Sequence, residues 1–280
     1  MARKNVGVSR AFIERNQELL LWLFGLLAVF TGTGAGVLVI GVANPFRLLV
    51  IVLGVAAFIA TVARIDWGLL VVIFITYTRL SDIAVKYHGA PSIAKSFVLV
   101  LAIVMAVRWI LYPDERPHGW GRPALVIALY GMVGFASLFY ASDFTEAQTA
   151  AVEFIKDGIV AVLIMMLLQR GLMFRRVIWT LLTAGILLGT LSVFQYLTGS
   201  FDNNYGGFAQ ASIQNIAGEI NDHRAAGPIG DPNFYAQIML VLVPLALDRL
   251  WNERRWSLRL IALWALAVSA LSIVFSFSRG

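Results

Sequence analysis

Apolar runs of close to 20 residues alternate along the chain with short breaks that carry Pro, Gly, Asn or charged side chains. Coiled as α-helix at 1.5 Å per residue, a run of about 20 residues matches the roughly 30 Å hydrocarbon core of a bilayer. The pattern predicts about nine spans. Their approximate limits are 19–42, 45–63, 67–80, 91–112, 123–141, a helix from residue 144 to near 169, 174–197, 232–247 and 260–277. The expected fold class is therefore all-α, a polytopic transmembrane helical bundle. The third run is short for a span. Its continuation toward Val85 would place Arg79 and Asp82 three residues apart, able to pair on one helix face. Asp143 and Glu146 have the spacing of a capping box, so a helix is expected to start there.

The longest polar interruption lies between the seventh and eighth runs, with loop limits of 198–231. Its first part, Phe201 to Gly207, is aromatic and glycine-rich. The next part, Ala209 to Ile220, reads as a short amphipathic helix with Ile213, Ile216, Ala217 and Ile220 on one side. The loop ends in Asp231-Pro232-Asn233, where Asp suits the N-cap and Pro the first helical position. Gly227 and Gly230 permit sharp backbone turns just before it.

Composition narrows the class. The chain is 59% hydrophobic and 14% charged, whereas soluble domains are about one quarter charged. With no cysteine, a disulfide framework and a thiolate metal site are excluded. The net charge of +6 does not point to nucleic acid, because the basic residues cluster in the breaks between apolar runs. With the N-terminus inside, 15 Lys and Arg fall on the inner side and six on the outer. Residues 1–18 then form a retained cytoplasmic tail, and the large loop faces outward. No cofactor motif and no histidine–carboxylate cluster with metal-ligand spacing is present.

The candidate chemistry gathers in the loop. Arg224 lies just upstream of a helix N-terminus, and a guanidinium beside such an end suits an anion, phosphate in particular. The alternative is that Arg224 pairs with Asp222 or Glu219 while Asp231, Pro232 and Asn233 only cap and turn. Arg279 ends the ninth run at the same face, so the two arginines can converge on one diphosphate. His223 is a candidate base. In the sixth run Glu153, Lys156 and Asp157 share one helix face. They form either a mutually neutralised packing cluster or, through Lys156, part of a substrate cavity.

The segment R-A-A-G-P-I-G-D-P-N-F-Y-A, Arg224 to Ala236, followed by S-F-S-R-G, Ser276 to Gly280, resembles the O-antigen ligase-like family. That family groups O-antigen ligases, Wzy-type polymerases and protein O-oligosaccharyltransferases. The resemblance implies a GT-C-like membrane fold and a bacterial cytoplasmic-membrane location. It also implies metal-independent transfer of a glycan from an undecaprenyl-diphosphate carrier to a glycan or lipid acceptor on the outer side. Arg224 and Arg279 match the family's arginines that grip the diphosphate, and Lys156 sits where members often carry a basic residue. Family members continue past S-R-G into further spans and a second outer loop that holds the base histidine. This sequence stops on that motif, so the 280-residue form alone is expected to be weakly active or inactive. Two other classes stay open. One, which the same superfamily resemblance implies, is a small-anion transporter of bicarbonate type, which would use Glu153, Lys156 and Asp157. The other is a non-catalytic membrane scaffold.

Overall fold

The computed structural model describes residues 54–61, 63–90, 92–112, 119–168, 171–217 and 220–278. The expected tail, the first span, most of the second span and Arg279 lie outside these residues.

The described chain is a helical membrane protein with one small β-hairpin. Its helices are α1 (Ile65–Thr78), α2 (Leu80–His88), α3 (Ile93–Leu111), α4 (Gly121–Ala136) and α5 (Phe144–Leu167), then α6 (Gly171–Thr198), α7 (Pro232–Asn252) and α8 (Trp256–Phe275). The hairpin strands β1 (Ala211–Ala217) and β2 (Ile220–Ala225) stand between α6 and α7. Among the described residues four segments are long and apolar enough to cross a membrane: Gly121–Tyr140, Leu172–Thr198, Pro232–Asn252 and Trp256–Phe275. The pair α1–α2 makes a fifth if its bend is counted within one span. The helix α5 is long enough, but Glu153, Lys156 and Asp157 keep it outside that set.

Two packed groups organise the helices. In the first, α6, α7 and α8 pack on one another and on β2, around Leu182, Leu188, Tyr235, Met239, Leu242 and Ala265. In the second, α1 packs on α3 and α5 around Val72, Phe97, Leu101, Met105 and Leu163. Leu69 and Ile73 of α1 meet Met173 and Val177 of α6 and join the groups. Lipid tails are as apolar as leucine, so close van der Waals fit rather than escape from water holds such helices together. Two glycines of α6 supply that fit. A Cβ on Gly185 would sit 2.0 Å from Leu242 Cδ1, and one on Gly189 would sit 2.9 Å from Val268 Cγ2 and 3.2 Å from its carbonyl oxygen.

The local signals at the helix starts hold. Asp143 Oδ1 accepts from the amides of Thr145 and Glu146, and Asp231 Oδ1 from those of Asn233 and Phe234. The Arg79–Asp82 pair also forms, at 3.7 Å.

Two expectations are corrected. The third span does not continue straight. It breaks at Arg79, which takes a left-handed φ of 52°, and α2 leaves at 55° to α1. The stretch expected as an amphipathic helix, 209–220, is strand over its described part, Ala211–Ala217. Ala211–Ala217 pairs antiparallel with Ile220–Ala225, in a register that sets Ser212 against Arg224 and Ile213 against His223. The helical reading counted apolar positions but would have placed Gly218 and two asparagines in or beside a helix, where they are poor formers. Strand pairing satisfies the backbone instead. The ladder runs on past β2, with Ala226 N donating to Gln210 O and Gln210 N to Gly227 O.

Candidate functional site at the hairpin and helix ends

The hairpin lies over one end of the α6–α7–α8 group and is held there by buried polar side chains. At the C-terminal end of α6, Gln195 is buried and donates to the carbonyls of Asn203 and Ala209, which pins the loop on either side of its aromatic turn. Tyr235 on α7 is fully buried and donates its hydroxyl to Ser192 of α6. Gly227 closes under that ring with φ +53°, and a Cβ there would come within 2.4 Å of Tyr235 Cε2. From the other side α2 reaches the loop: His88 Nε2 lies 3.0 Å from Gly206 O, and Gly207 packs under Tyr87.

Arg224 is the junction of this end of the molecule. Its side chain is buried, with 7% of its surface exposed. Nε donates to Ser276 O at 2.7 Å, and Nη2 donates to Asn233 Oδ1 at 2.8 Å and to Phe277 O at 3.3 Å. One guanidinium therefore ties β2 to the start of α7 and to the carbonyls that end α8. Carbonyls at a helix C-terminus lack intrahelical donors and carry the negative end of the helix dipole, so a buried cation is well placed there. Phe277, the next residue after the C-cap, has a left-handed φ of 47°, a conformation usually left to glycine.

This geometry relates the candidate residues to one another. The two motif segments, separated by about 40 residues, meet through Arg224, Ser276 and Phe277. Among its acceptors are two backbone carbonyls and an amide oxygen; Glu219, one partner considered from the sequence, lies outside the described residues. Asp231 occupies the amides of Asn233 and Phe234, so the α7 N-terminus offers its dipole to a ligand more than those two donors. His223 stacks on Phe201 with ring centroids 4.0 Å apart and planes 5° apart. Its Nδ1 is buried without a hydrogen-bond partner. The same face carries Tyr196 stacked on Phe275 at 4.3 Å. Lys156 is not brought to this junction. It is exposed on α5, as are Glu153 and Asp157, and α5 packs on α4 and α1 rather than on the hairpin. Among the described residues no group of histidine, cysteine and carboxylate side chains could hold a metal ion.

An apolar cavity of about 490 Å³ opens between α3, α4 and α5, with Met105, Trp109, Ile127, Phe135, Phe154 and Leu163 in its wall. None of its walls belongs to the elements around Arg224.

A second polar node lies at the far ends of α7 and α8. Glu253 is buried at 3% exposure and takes a forked grip from Arg175, Nη2–Oε2 at 2.6 Å and Nε–Oε1 at 3.1 Å. Arg249 and Trp179 also donate to Oε1, and Arg259 donates to the Glu253 carbonyl. Burial works against charge on this carboxyl, but the hydrogen bonds and charge of Arg175, with Trp179 and Arg249, outweigh it and hold Glu253 below the ordinary glutamate range. The sequence reading counted these arginines only as a topological signal. The one clue to the node was a lone glutamate within an arginine-rich turn.

Comparison of the chain with protein-family models, with curated proteins and with solved structures gives no match.

Proposed function

We propose that this chain works as an envelope polysaccharide ligase or polymerase of GT-C-like architecture with about nine spans. It would transfer a glycan from an undecaprenyl-diphosphate carrier to a saccharide or lipid acceptor at the outer face of a bacterial cytoplasmic membrane, with the N-terminus inside. The observation that supports this reading most is the junction at Arg224. It joins the two segments that carry the family resemblance, and it does so with a buried cation at the surface end of three packed helices. In this reading Arg224 is a positioning residue that also sets the local charge. It fixes the segment from which Arg279 follows two residues after Phe277, and Arg279 contacts the diphosphate.

Chemically, an acceptor hydroxyl oxygen attacks the anomeric carbon, and the bond from that carbon to the diphosphate oxygen breaks. The hydroxyl proton passes to a base, for which His223 is the candidate in this loop. The lipid diphosphate leaves carrying the electron pair of the broken bond. Cationic groups at that point favour the transition state because negative charge grows there.

Two measurements test the proposal. Asp202 is exposed in the loop and the natural sequence has no cysteine, so Asp202→Cys should react with a membrane-impermeant maleimide on intact cells. Protection until the cells are lysed would place the loop inside and end the proposal. Arg279→Ala should abolish glycan attachment in cells at unchanged protein level. Retained attachment would remove Arg279 from the mechanism.

A further inference from the structure

The turn between α7 and α8 contains Glu253, Arg254 and Arg255. The buried Glu253 node already occupies Arg175, Arg249 and Arg259. Arg254 and Arg255 are different. Both are exposed, and neither side chain takes a hydrogen bond or ion pair among the described residues. Their backbone is nevertheless fixed, because Glu253 N donates to Arg249 O and Arg259 N to Arg255 O. The turn is flanked by Trp251 at 71% exposure and Trp256 at 70%. These two indoles stand at the ends of two helices that are each long and apolar enough to span a membrane. Exposed tryptophan at a span end sits at headgroup level, where its ring meets the glycerol region and its N–H meets water. A guanidinium at that level matches a phosphate with two parallel N–H donors.

We propose that Arg254 and Arg255, framed by Trp251 and Trp256, form a binding site for the phosphate headgroup of an anionic membrane phospholipid. The site stands at the opposite ends of α7 and α8 from the Arg224 junction and does not depend on the glycan-transfer reading. Its rigid element is the buried Glu253 node, which fixes the backbone of the turn that carries both exposed arginines between the two indoles.

The test uses the full chain in nanodiscs of phosphatidylcholine with or without phosphatidylglycerol, with lipid retention read by native mass spectrometry. Each arginine near an anionic surface is worth about fivefold in affinity, so Arg254→Gln with Arg255→Gln should weaken phosphatidylglycerol retention by roughly 25-fold. Because both residues are exposed, thermal unfolding of that variant in detergent should stay as in the unaltered protein. Arg64→Gln with Arg122→Gln removes equal exposed charge elsewhere and should leave retention intact. Unchanged retention in the Arg254/Arg255 variant overturns the site. So does an equal loss in the Arg64/Arg122 control, which would mean diffuse surface charge. Binding of inorganic phosphate at millimolar concentration that displaces the lipid would assign the turn to a soluble anion and overturn the lipid assignment.

Discussion

Replacing Arg224 with methionine keeps much of the side chain's length and removes its donors, so it isolates the junction. Two of the lost bonds are short and charge-assisted, to Ser276 O at 2.7 Å and to Asn233 Oδ1 at 2.8 Å. Such bonds are worth about 1.5–3 kcal/mol each, and the bond of 3.3 Å to Phe277 O adds less. Against that stands the cost of keeping a guanidinium out of water, which methionine no longer bears. The acceptors left behind are neutral, so the net loss is about 3 kcal/mol, set by the unsatisfied buried carbonyl and amide oxygens. The loss is local. The contacts of α6, α7 and α8 along their lengths do not involve Arg224, so the hairpin and the last turn of α8 should open while the bundle stays folded. With 1.4 kcal/mol per factor of ten, amide exchange at Ala225, Ala226 and Phe277 should speed up at least about a hundredfold. Hydrogen–deuterium exchange with mass spectrometry in detergent reads this directly, with peptides from α6 as the internal control. Asn233→Ala should produce part of the same effect and should be non-additive with Arg224→Met, because the two share a bond. Unchanged exchange in Arg224→Met, or strict additivity of the two substitutions, would refute the junction.

Two further outcomes follow from the geometry. Gly227→Ala meets both a left-handed φ, about 1 kcal/mol or more, and the Tyr235 ring at 2.4 Å, about another 1–3 kcal/mol. Gly230→Ala meets only its φ of +82°, with Gln210 Oε1 3.4 Å away, so thermal unfolding should fall clearly more for Gly227→Ala; equal losses would mean that the contact with Tyr235 does not matter. For Glu253 the pKa is depressed in the folded state, so its contribution is fully present above the ordinary glutamate value, about 4.3, and is lost as pH falls below it. Glu253→Gln should cost about 2 kcal/mol at neutral pH, less than a fully buried pair because Arg175 is half exposed, and should flatten the stability profile below about pH 4. An acid-side profile identical to that of the unaltered protein would show that Glu253 is not the titrating group.

What the sequence made legible follows from the range over which each signal acts. The caps at Asp143 and Asp231 are decided within three residues, and both could be read directly. The Arg79–Asp82 pair was legible for the same reason, yet the break at Arg79 was not, because hydropathy is blind to a single left-handed residue. The 209–220 segment shows the opposite failure. Its isoleucines fit a helical face as well as a strand, and what decided between them was a partner, residues 220–225, that the helical reading had partly absorbed into the same element. The place of Arg224 depended on long-range geometry. The bonds of Arg224 to two carbonyls and one amide oxygen leave no trace in charge patterning. A carboxylate partner announces itself in the sequence by its charge, whereas a helix C-terminus carries comparable attraction in backbone atoms that every residue possesses. That is why the exposed Arg254 and Arg255 and the buried Arg224 look alike in the sequence and differ in the fold. The first two face outward from a turn whose only carboxylate is already taken, while the third completes the end of a helix.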